Sequence, residues 1–199
     1  DGCQRNVHDA GRMAGLLEQS GYDPAESDTD ADLVVINTCS VRERAEEKLY
    51  TRLGELRVEA RAIGRRRIIA VAGCVAQQEG HSLFDRSSLI DVVVGPQSLL
   101  ELPGLIERAA DGWAGGPLID VDERDLVSFP FGLTRRNDRV RAQVTIIEGC
   151  NDYCAFCVVP YTRGRERMRA AAEVLGEVRH LADSGFLEVM LLGQIVNHY

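Results

Sequence analysis

Three short apolar runs constrain this chain more than any other feature: "DLVVIN" at 32–37, "RIIAVA" at 67–72 and "DVVVG" at 91–95. Each is continuous rather than alternating and rich in Val and Ile, the pattern of strands covered on both faces of a parallel sheet. Helical periods lie between them. Val41, Ala45, Leu49, Leu53, Leu56, Ala60 and Ile63 recur at three- and four-residue steps, which predicts one apolar helix face. Ser40 with Glu43 spells a capping box at its start. A second helix is expected over 6–20, ended by Gly21 at its C′ position. A third is expected over 103–110, with Pro103 in its first turn. Strands alternating with helices imply a parallel sheet with helices on its faces.

After residue 111 the periodicity fades, and 112–138 reads as a linker with one extended segment. A second unit is expected over 139–199. It opens with a strand in "VRAQVTIIEGC", continues through a helix with Val174, Leu175, Val178, Leu181 and Ala182 on its inner face, and reaches a strand in "LEVMLLG". This is one right-handed βαβ unit, too short to be a complete α/β barrel. The opening "DGCQRN" has no initiator Met, and the closing "LLGQIVNHY" follows directly on a strand-like run. The expectation is a fragment, with a further strand before Gly2.

Composition narrows the setting. No run of about 18 uncharged apolar residues is present, so no membrane association is expected. The polar start does not resemble a secretory signal. A cytoplasmic, reducing location follows, in which six cysteines read as metal ligands or redox groups rather than disulfides. The net charge of −8 argues against a self-sufficient nucleic-acid binder, although arginines cluster at 65–67, at 135–141 and at 163–169. The first cluster reads as solvated surface. The last adjoins a cysteine cluster and reads as functional.

The cysteines fall into two sets of three. Cys150, Cys154 and Cys157 follow a strand end with the spacing C-x3-C-x2-C. A loop can wrap three thiolates around one centre. Structural zinc takes four protein ligands, and the candidates for a fourth, His180 and His198, lack ligand-like spacing. A cubane iron–sulfur cluster held by three cysteines, instead of the usual four, keeps one iron open to a second molecule. Cys3, Cys39 and Cys74 are separated by 36 and 35 residues, about one strand–helix repeat each. Each sits where a parallel strand ends and a helix begins, at the carboxyl edge where open α/β sheets bind ligands. Glycines precede two of them, Gly2 and Gly73, allowing close backbone approach. A lone cysteine there would read as a small buried residue; three at equivalent positions suggest a second cluster with an open iron.

The stretch "EGCNDYCAFCVVPYTRGRE", with Phe156 before the last cysteine, resembles the signature of the radical S-adenosylmethionine enzymes. With "GCQRN", "NTCSVRERAEEKLY", "GCVAQQEG" and "LLGQIVN", the chain is similar to the methylthiotransferase family of those enzymes. The motifs look most like the tRNA branch acting on N6-isopentenyladenosine at position 37. Arg5 replaces the family's Met, Ile195 stands where Asn is usual, and the usual Ser-Arg-Pro near Arg169 is lost.

The resemblance implies a fold and a chemistry. The fold is an N-terminal parallel α/β sandwich followed by the first βαβ part of a radical-SAM partial barrel. Two [4Fe-4S] clusters are implied, one on Cys150, Cys154 and Cys157 that binds S-adenosyl-L-methionine, the other, auxiliary, on Cys3, Cys39 and Cys74. The implied reaction places a methylthio group on C2 of the adenine. The tRNA anticodon loop is the partner, and an electron donor such as flavodoxin or ferredoxin is needed. Phe156, Arg163, Glu166 and Gln194 are candidates for contact with S-adenosylmethionine or substrate. Loop packing for Phe156, surface ion pairing for Arg163 and Glu166, and a polar loop start for Gln194 stand beside that reading. Asn37 and Gln77 are expected to support backbone turns, and Tyr161 to pack.

Other readings remain open. They are a methylthiotransferase acting on threonylcarbamoyl-adenosine tRNA or on a ribosomal protein, a non-catalytic zinc- and RNA-binding module, and an electron-transfer ferredoxin. The last would need a fourth cysteine nearby.

Overall fold

The structure is a computed structural model that describes residues 3–27, 29–40, 44–124, 130–136 and 138–199. Helix α1 (Gln4–Gln19) ends as expected, with Gly21 at φ 87° and its N–H on Glu18 O. Strand β1 (Leu33–Thr38) and helix α2 (Ala45–Ile63) follow, and α2 stops at left-handed Gly64. Glu43 of the expected capping box, Val41 of the expected helix face and Gly2 lie outside the described residues. Strand β2 (Ile68–Gly73) runs straight into helix α3 (Cys74–Glu79), then α4 (Ser82–Arg86), β3 (Val92–Val94) and α5 (Leu102–Ala110), whose proline occupies the first turn. Strand β4 (Leu118–Asp120) is the extended segment expected within the linker.

Strands β1 to β4 form one parallel sheet in sequential order, with Val34 opposite Ile69 and Val71 opposite Val93. One face carries Met13 and Leu16 of α1 and Leu102, Leu105 and Ile106 of α5 over Ala70, Ala72, Val92, Val94 and Leu118. The other carries Leu49, Leu53 and Leu56 of α2, Val75 and Ala76 of α3 and Leu83 of α4 over Ile69, Val71 and Val93. This is a three-layer α/β sandwich, held mainly by burial of these aliphatic faces.

The second unit begins with β5 (Arg141–Thr145) and β6 (Ile147–Glu148), followed by short α6 (Val159–Arg163), β7 (Arg167–Met168), α7 (Ala171–Asp183) and β8 (Glu188–Leu192). β5 pairs with β8 in parallel, and β6 with β7 antiparallel. Ala142, Val144, Ile146, Ile147, Val174 and Leu181 form its core. The expected inner face of α7 needs correction. Leu175 and Ala182 are exposed, and Glu177 is buried in their stead. Glu177 accepts from Arg136 at 3.0 Å and from Arg169 at 2.6 Å, so an ionic seam replaces part of the apolar stripe. Arg67, expected on the surface, is also buried, paired with Glu59 at 3.2 Å. Among the described residues no helix is long and apolar enough to cross a membrane.

Candidate functional site

Cys3, Cys39 and Cys74 sit at one edge of the four-stranded sheet, laced there by short polar side chains. Cys3 is the N-cap of α1. In the first turn of that helix, Asn6 Nδ2 donates to Asn37 Oδ1 at 2.8 Å and to Thr38 O at 2.9 Å, and Asn37 Nδ2 returns a bond to Asn6 O at 2.7 Å. The start of α1 is thereby tied to the carboxyl end of β1, which leads into Cys39. Thr38 Oγ1 donates to Ala72 O at 2.6 Å and accepts from the Val75 N–H at 3.1 Å. That ties the same strand end to the turn that opens with Cys74. Gly73 makes the approach possible. Its φ is 95°, and a Cβ there would strike Thr38 O and sit 2.7 Å from Asn37 Oδ1. Asn37 thus ties β1 to α1, and Gln77 ties α3 to the segment after β4 through a bond from Nε2 to Val121 O at 2.6 Å.

Cys39 and Cys74 are buried and Cys3 half-buried. Burial pushes the Cys74 thiol up from its ordinary value, the nearby Arg163 guanidinium opposes that, and Asp9 and Cys39 add to it. Arg163 comes from α6 of the second unit, so the two units meet at this edge.

Cys150, Cys154 and Cys157 occupy the loop between β6 and α6. Gly149, at φ 75°, leads into it, and the Cys150 N–H donates to Gly164 O at 3.2 Å. The Cys157 N–H closes a turn on Cys154 O at 2.9 Å. Cys150 is buried, Cys157 half-buried and Cys154 exposed. Tyr153 holds a left-handed φ of 46°, and its ring meets Tyr161 edge-on at 6.0 Å. Tyr161 is largely exposed. All six cysteines are free thiols. Among the described residues no three His, Cys, Asp or Glu side chains are arranged to hold a metal ion. The donor chemistry nevertheless suits an iron–sulfur cluster at each set, since thiolates are its ordinary ligands and both sets are purely cysteine.

The other candidates separate. Phe156 is 93% exposed, so loop packing does not account for it. Arg163 is only 5% exposed and pairs with Asp9 Oδ2 at 2.7 Å, which corrects the surface ion-pair alternative. Glu166 meets His198 Nδ1 at 2.9 Å through its side chain, while its N–H donates to Asn151 Oδ1 within the cysteine loop at 3.0 Å. Gln194 follows β8, and its Oε1 is buried without a hydrogen-bond partner. Arg167 and Arg169 also serve the fold. Arg167 donates to Gln97 Oε1 at 2.7 Å, and Arg169 to Thr145 O at 2.8 Å.

The spacing of motifs did not disclose the buried charge cluster beside this edge. Glu148 takes Arg5 Nη2 at 2.6 Å and Arg12 Nη1 at 3.1 Å, and Arg5 also donates to Ile147 O at 3.1 Å. Asp9 lies 3.8 Å from Arg12 and completes the link to Arg163. A signal was present: Arg5, Asp9 and Arg12 recur at helical steps where an apolar face would be expected.

The parallel α/β topology brings these thiols to the carboxyl edge of the sheet, where open α/β sheets bind ligands. Residues 1–95 match the model of the uncharacterized protein family UPF0004, a domain that occurs in methylthiotransferases.

Proposed function

We propose that this chain belongs to a cytoplasmic tRNA methylthiotransferase that modifies C2 of N6-isopentenyladenosine at position 37. On this reading Cys150, Cys154 and Cys157 hold a [4Fe-4S] cluster with S-adenosylmethionine, and Cys3, Cys39 and Cys74 hold the auxiliary one. When bound, these groups supply the electron that cleaves S-adenosylmethionine and the sulfur species that is transferred. The chain's own residues shape the two sites. The bond from Cys150 to Gly164 anchors the loop, while exposed Cys154 and Phe156 leave it open to an incoming molecule. The anticodon loop, a single-stranded segment whose bases can be splayed and stacked, suits such access. Flavodoxin or ferredoxin would deliver the electron. The observation that carries the reading is that three cysteines from separate strand–helix repeats lie at one sheet edge, against an arginine from the helix that follows the other cysteine set.

The test is metal analysis of the full-length protein, purified anaerobically. About eight irons with matching labile sulfide are expected, and colourless protein with stoichiometric zinc would sink the proposal. Cys74→Ser should lose about half of that iron while the remainder still cleaves S-adenosylmethionine. With tRNA bearing isopentenyladenosine, mass spectrometry should find the methylthio product. Modification of a ribosomal protein instead would overturn the substrate.

A further inference from the structure

Arg163 ends α6, six residues after Cys157, yet its guanidinium lies beside Cys74 of the other set. Asp9 of α1 holds it there at 2.7 Å, and both side chains are buried. Asp9 stands six residues after Cys3. One ion pair therefore joins the helix opened by the first cysteine of one set to the short helix that follows the last cysteine of the other. Glu148 with Arg5 and Arg12 braces the same junction from the strand that precedes Cys150. Buried pairs of this kind are weak evidence of net stabilisation, but breaking one leaves an uncompensated charge. Their best-attested benefit is a unique arrangement, and here the elements arranged are the two thiol sets.

We propose that Arg163 is a positioning residue which, fastened by Asp9, fixes the separation between the two cysteine sets. The proposal rests on the functional reading above and adds a residue role to it. A bidentate, planar guanidinium suits the task. An ammonium on a flexible stem would hold Asp9 but not face Cys74 at the same time.

The experiment uses the full-length, iron-loaded protein with both clusters reduced, and reads the magnetic coupling between them by electron paramagnetic resonance. Wild type is expected to show one well-defined coupling. Arg163→Ala and Asp9→Asn should lose it or spread it over a broad distribution, at unchanged iron content and unchanged helical circular dichroism. Arg163→Lys should recover part of it. If Arg163→Ala loses its fold, Asp9→Asn, which keeps the side-chain shape, decides alone. Wild-type coupling in the foldable variants overturns the positioning role. Wild-type protein without two clusters overturns the functional reading instead, so the two failures are distinguishable.

Discussion

Glu148 sits between two arginines in a site that excludes water, and this makes it an acid sensor of the fold. Burial raises its pKa, but Arg5, Arg12 and Arg163 outweigh that and bring the carboxyl down from 4.5 to about 2. His8 is displaced in the same direction, from 6.5 to about 3, first by burial and then by Arg12, against the opposing pull of Asp9. Both groups bind their protons more weakly in the folded chain than in the unfolded one. Each therefore contributes stability that is complete above its unfolded pKa and lost as pH falls through its folded one. For His8 the loss begins just below pH 6.5, and for Glu148 below about 4.5. Urea midpoints measured against pH should decline in two stages, and His8→Gln should flatten the upper stage alone. Gly73 offers a second test at this scale. Gly73→Ala forces a left-handed φ and a Cβ against Thr38 O. A loss of about 2–4 kcal/mol in urea unfolding is expected from strain and overpacking together.

At the level of the element, α2 and α7 show what spacing can and cannot report. In α2, Leu49, Leu53 and Leu56 lie on the face that their period predicts. Leu56→Ala should cost about 2–5 kcal/mol by the usual cavity argument, whereas Leu175→Ala, at a residue 52% exposed, should stay within about 0.5 kcal/mol. Differential scanning calorimetry of the two variants checks both. The difference arises because α7 exchanges an apolar position for Glu177, whose partners Arg136 and Arg169 both lie outside the helix. A period of three or four residues is a local signal and carries no record of a partner 41 positions away. Arg163 with Asp9, 154 positions apart, escapes it in the same way. Continuous strands are more legible. The buried runs reappear as β1, β2 and β3 within a residue or so of their sequence limits, since burial on both faces demands an unbroken apolar run. The cysteine positions were legible for a related reason, the strand–helix repeat that spaces Cys3, Cys39 and Cys74. The buried charges beside them were not.

On the scale of the whole molecule, the two units are joined by ions more than by oil. Arg5, Asp9 and Arg12 of α1 reach Glu148 and Arg163 of the second unit, and the Arg135 N–H bonds Gly11 O at 3.0 Å. Gly15 admits that approach, since a Cβ there would overlap Leu133 O. The apolar cores on either side remain separate clusters. Such a junction is geometrically exacting, in keeping with the positioning role assigned to Arg163.

Strand β4 has a practical consequence for anyone who would excise the first unit. A cut after Asp111 looks natural, because the last long helix of the sandwich ends at Ala110. It would remove the strand paired with Val92, Val93 and Val94. The bared flank of β3 would then present unpaired amides along a wholly apolar ribbon, an invitation to self-association. Light scattering should find the shorter piece polydisperse, and a piece carried through Arg124 should remain monomeric, with β4 in place and Arg124 still bound to Asp120 and Glu101.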